Sequence, residues 1–151
     1  MRAQEFVSPP HLYLDMDGVQ ADFFTAWARW HGSKTGQDIN RYKEIGDRAQ
    51  REQSITELNK EGPEFVAKFF ATLPVLPGGQ KLIRWLKDNK IPFTVLSAPL
   101  RGNEPASIAG KKYWLTQHNP GVAAEFTSEK QQYAQHHGQP DRKSTRLNSS
   151  H

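Results

Sequence analysis

Leu12-Tyr13-Leu14-Asp15-Met16-Asp17-Gly18-Val19 is the stretch whose reading decides the fold. A short apolar run stops at two carboxylates spaced by one residue, and a glycine follows. A buried strand of this kind delivers its last side chains to the sheet edge, where a ligand can reach them. Strand side chains alternate with period two, so Asp15 and Asp17 point to the same side. Carboxylates that close repel each other, and a divalent cation or a shared proton relieves the repulsion. Gly18 lets the chain turn sharply after them.

Working outward, residues 11–14 read as a buried strand, with Pro9-Pro10 as punctuation before it. Residues 21–30 read as a helix rich in aromatics (Phe23, Phe24, Trp27, Trp30), broken at 32–36. Residues 37–60 are polar and charged, with one or two weak helices. Gly62-Pro63 opens a helix whose apolar face is Phe65, Phe69, Phe70 and Leu73. Pro74 and Pro77-Gly78-Gly79 mark a loop, and 80–89 is an amphipathic helix. A second strand at 93–96 ends at Ser97-Ala98-Pro99. A helix over 106–117, a short strand over 124–127 and a short helix over 130–136 complete the series. Strands alternating with helices predict an open parallel α/β sheet. Ligands in such sheets sit beyond the carboxyl ends of the strands. Asp15 with Asp17, Ser97 and the 127–130 stretch all follow strand ends, so three distant segments converge on one site.

Composition narrows the function classes. A chain of 151 residues forms one domain with a sizeable core. The formal charge is +4; the last eleven residues hold three basic groups and one acid, so residues 1–140 carry only +2. No dense Lys/Arg cluster marks a partner of polymeric nucleic acid. The absence of cysteine excludes disulfides and thiolate zinc sites. No apolar run is long enough to span a membrane, and residues 1–10 lack a signal-peptide core. A soluble cytoplasmic protein is expected, with a homodimer left open. The final stretch, Asp141-Arg142-Lys143-Ser144-Thr145-Arg146-Leu147-Asn148-Ser149-Ser150-His151, reads as the in-frame translation of a short-read sequencing adapter, not as natural protein. Residues 141–151 are therefore expected to be an artefactual or disordered tail outside the fold.

The groups gathered at the strand ends have a defined chemistry. An aspartate beside a divalent cation can attack phosphorus and form an aspartyl-phosphate. A second carboxylate two residues on can protonate the leaving alcohol and then activate water. A serine hydroxyl and a lysine ammonium can hold and neutralise the phosphate.

On these residues the chain resembles the haloacid-dehalogenase-like (HAD-like) phosphatases. Asp15-Met16-Asp17-Gly18-Val19 is similar to their first motif. The longer run through Gln20-Ala21-Asp22-Phe23 resembles the 5′(3′)-deoxyribonucleotidase branch and its phage-type relatives. Phe69-Phe70 leading into Pro77-Gly78 also resembles that branch. Val95-Leu96-Ser97-Ala98-Pro99 looks like the second motif, Lys111-Lys112-Tyr113 like a helix of those enzymes, and Phe126-Thr127-Ser128-Glu129-Lys130 like the third motif. The resemblance spans residues 11 to about 138.

It implies a Rossmann-like core over 1–19 and 78–140, with a small helical cap inserted over 20–77. It further implies Mg²⁺-dependent hydrolysis of a small phosphate monoester, a (deoxy)ribonucleoside monophosphate. Asp15 would be the nucleophile and a metal ligand, and Asp17 the acid/base, with its backbone carbonyl on the metal. Ser97, Lys130 and Lys112 would bind phosphate, with Lys111 competing for the last of these roles, and Phe23 would lie against the base. The fourth motif of the family, a strand ending in paired acids, is replaced by the adapter-like tail. The last core strand and a metal ligand are therefore expected to be missing, and the chain as written to bind Mg²⁺ poorly and to have little activity. Other readings stay open: a phosphatase of sugar phosphates, or a fragment that only binds phosphate or metal. Singly, Asp15 and Asp17 could cap a turn or serve a glycosyltransferase-type metal site, Ser97 could end a strand, and Lys130 could be a surface lysine.

Overall fold

The computed structural model describes residues 11–36 and 47–129. Lys130, the helix expected over 130–136 and the 141–151 tail lie outside the described residues. In chain order the elements are β1 (Leu12–Asp15), α1 (Phe23–Thr35), α2 (Asp47–Lys60), α3 (Pro63–Ala71), α4 (Pro77–Asp88), β2 (Phe93–Ser97), α5 (Glu104–His118) and β3 (Ala124–Phe126). The protein is mixed α/β. Its described strands form one parallel sheet in the order β1-β2-β3. Leu14 pairs with Val95 and Asp15 with Leu96, while Ser97 pairs with Phe126. Asp15 and Ser97 thus both stand at the carboxyl edge of the sheet.

Two apolar clusters hold the sheet. Leu14 packs with Ile83 and Leu86 of α4. The larger cluster joins Met16 and Val95 to Trp27, Leu58, Val66, Phe69 and Phe70 of the first three helices and to Trp114 and Leu115 of α5. Segment 20–77 and the sheet-bearing segment therefore share one core. Full burial of a side chain such as Leu14 or Val66 contributes about 1.5–3 kcal/mol. Helices α3 and α5 pack closely against each other. A Cβ on Gly110 would lie 2.3 Å from the Ala67 carbonyl oxygen, so only glycine admits this approach. Trp114, fully buried, donates its indole N–H to the Leu73 carbonyl at 2.7 Å.

Several local expectations are corrected. Helix α1 does not break at Gly32: His31 and Gly32 are buried within it, and it runs to a left-handed cap at Gly36 (φ 77°). Burial of that turn outweighs the weak helix preference of one glycine. Asp22 caps α1, its carboxylate accepting from the Thr25 N–H at 3.0 Å. The 77–79 stretch is the first turn of α4, not a loop, with Pro77 at the opening of the helix.

Candidate active site

The loop leaving β1 is wound tightly. Gln20 and Ala21 N–H groups both return to the Met16 carbonyl at 2.9 Å, and Gly18 adopts φ 85°. The turn follows Asp17 directly, and Asp17 bridges Ala21 across it. Asp15 is buried, and the Asp17 side chain is about one quarter exposed. Ser97, last residue of β2, is buried beside them, and its carbonyl accepts from the Thr127 N–H beyond β3 at 3.0 Å.

Lys111 of α5 ties this edge together. Its ammonium donates to Asp17 Oδ2 at 3.1 Å, to Ser97 Oγ at 2.7 Å and to the Ala98 carbonyl at 2.6 Å. An ammonium has three N–H donors, and here three acceptors meet them. The side chain is 2 % exposed, so the charge is buried with an ionic partner, as burial of a charge requires. Its Nζ also lies 4.9 Å from the centre of the Phe70 ring.

The residues expected at the site are not placed alike. Asp17 and Ser97 are brought together through Lys111, with Asp15 at the adjoining strand end. Lys112 is exposed, its Nζ 6.0 Å from the centre of the Phe126 ring; it does not join the Asp17–Ser97 group. Phe23 opens α1 and packs on Phe69 (5.7 Å, edge-on) and on Phe70 (5.8 Å, stacked). One ring, Phe70, thus neighbours both Phe23 and the Lys111 ammonium. Lys130 lies outside the described residues.

A signal for Lys111 does exist in the sequence. Ser107, Gly110, Lys111, Trp114 and Leu115 are the buried residues of α5, and their spacing is that of one helix face. A lysine on a buried stripe needs a partner. Gln20 and Asn119, which support the loop from behind, carry no such signal.

Magnesium takes one or two protein carboxylates and fills its other positions with water and substrate oxygens. The Asp15 carboxylate and the Asp17 backbone carbonyl would be the protein oxygens offered to such an ion. Among the described residues no group of three or more His, Asp or Glu gathers to hold an ion. Oxygen donors of this kind suit a hard cation completed by substrate and water. Among the described residues no helix is long and apolar enough to cross a membrane. The chain matches no protein-family model and no curated protein.

Proposed function

We propose that this chain carries the site of a cytoplasmic HAD-like phosphatase acting on small phosphate monoesters, (deoxy)ribonucleoside monophosphates first among them. The observation that carries the reading is the Lys111 ammonium joining Asp17 to Ser97 at the carboxyl edge of a parallel sheet. A buried cation between a carboxylate and a hydroxyl suits a site for a charged, oxygen-rich group.

The Asp15 carboxylate attacks phosphorus: an O–P bond forms, and the P–O bond to the leaving alcohol breaks. Asp17 gives that oxygen its proton. In the second step Asp17 takes a proton from water, whose oxygen attacks the aspartyl-phosphate and releases inorganic phosphate. Ser97 Oγ accepts from Lys111, which leaves its own proton for a phosphate oxygen. Asp15, through its carboxylate, and Asp17, through its backbone carbonyl, would hold Mg²⁺, which would neutralise the phosphate charge. Phe23, one ring from Lys111, is suited to lie against a base.

The test is phosphate release by the purified chain with Mg²⁺. The panel is 5′- and 3′-(deoxy)ribonucleoside monophosphates beside sugar phosphates. Nucleotides should turn over fastest. Faster release from sugar phosphates would move the substrate class, and no release above background would leave a phosphate- or metal-binding fragment.

A further inference from the structure

Behind the loop that carries Asp15 and Asp17 lies a buried polar bridge that takes no part in the proposed chemistry. Gln20 is fully buried. Its side-chain N–H₂ donates to the Asp15 carbonyl at 3.0 Å. Its side-chain oxygen accepts from the Asn119 amide at 3.0 Å, and Asn119 is also buried. The Gln20 backbone is gripped as well: its N–H donates to Met16 O at 2.9 Å, and its carbonyl accepts from Leu76 N at 2.8 Å. Asn119 caps the carboxyl end of α5, the helix that presents Lys111. The bridge therefore joins the peptide of Asp15 to the helix holding Lys111, across 99 positions of sequence.

A buried carboxamide satisfied at both ends is rigid, and its loss leaves the groups at either end without a partner. The peptide it holds is the last of β1, directly attached to the Asp15 side chain. We propose that Gln20 is a positioning residue: it orients the Asp15 peptide, and through it the nucleophilic carboxylate, relative to Lys111. This role rests on the phosphatase reading above. Small misplacements of a nucleophile are costly, up to roughly a hundred-fold in rate for about 1 Å.

The test compares Gln20→Met with Gln80→Met. Methionine keeps the length and bulk of Gln20 but donates nothing to Asp15. Gln80 donates to the His118 carbonyl at the same helix end, 3.3 Å away, without touching Asp15. Deoxynucleotide hydrolysis is measured together with the carbonyl-carbon resonance of labelled Asp15. In Gln20→Met, kcat should fall roughly ten- to a hundred-fold with KM within about two-fold, and the resonance should move. In Gln80→Met, kcat and the resonance should stay, whatever happens to the melting temperature. If Gln20→Met does not fold, Asn119→Leu carries the same comparison by releasing the far end of the bridge. An unchanged kcat, or a loss matched by Gln80→Met, overturns the positioning role. If the native chain hydrolyses no phosphate monoester, the phosphatase reading falls. The Asp15 resonance then decides the bridge by itself, and an unmoved resonance in Gln20→Met overturns it.

Discussion

Lys111 donates to Asp17 across 94 positions of sequence, at 3.1 Å, from a side chain with almost no contact with solvent. A lysine placed in this way is held by its partners, and they by it. Its neighbour Lys112, one residue along the same helix, faces outward. The pair offers a direct comparison of two adjacent cations.

Lys111→Met should therefore lower phosphate release by about a hundred-fold or more, since it removes the cation that joins Asp17 to Ser97. Lys112→Met should stay within about two-fold of the native rate. Steady-state phosphate release at saturating Mg²⁺ checks both. Equal losses would place Lys112 in the phosphate site after all.

The two aspartates divide the chemistry. Asp15→Asn should eliminate turnover, because an amide cannot form the aspartyl-phosphate. Asp17→Asn should slow both formation and hydrolysis of that intermediate, by about 10²–10⁴-fold, the usual weight of a proton-transfer group. Rapid-quench measurement of acid-stable protein-bound phosphate separates the two. Turnover retained by Asp15→Asn would remove the covalent route.

Adjacent glycines in the first turn of α4 should respond with opposite sign. A Cβ on Gly78 meets nothing within 4 Å, whereas one on Gly79 would sit 2.0 Å from the Val19 carbonyl oxygen and 2.8 Å from Gln20 Cα. Gly78→Ala should stabilise by about 0.5 kcal/mol through a less flexible unfolded chain. Gly79→Ala should destabilise by about 1–3 kcal/mol and disturb the loop behind Asp15. Urea denaturation of both variants tests the pair. A stabilising Gly79→Ala would mean that α4 does not press on this loop.

Asp22→Ala removes the cap of α1 and should cost about 1 kcal/mol in the same denaturation measurement. Asp22→Asn, which keeps the accepting oxygen, should restore most of that loss.

Local chemistry in the sequence was enough for the main architecture. The apolar run before Asp15, the second run ending at Ser97 and the helical periods between them predict a parallel α/β sheet with its groups at the carboxyl edge, and β1 and β2 pair in parallel with those ends together. These features depend on period and on residue type, which a stretch of ten residues already expresses. What tertiary packing decided is of another kind. That Gly32 lies inside a helix, that Lys111 and not Lys112 reaches Asp17 and Ser97, and that Gln20 meets Asn119 depend on which faces are pressed together. Lys111 and Lys112 differ by about 100° around α5. The core formed by Trp114, Phe70 and Leu73 sets which of those directions is buried, and so which ammonium is held at the edge of the sheet.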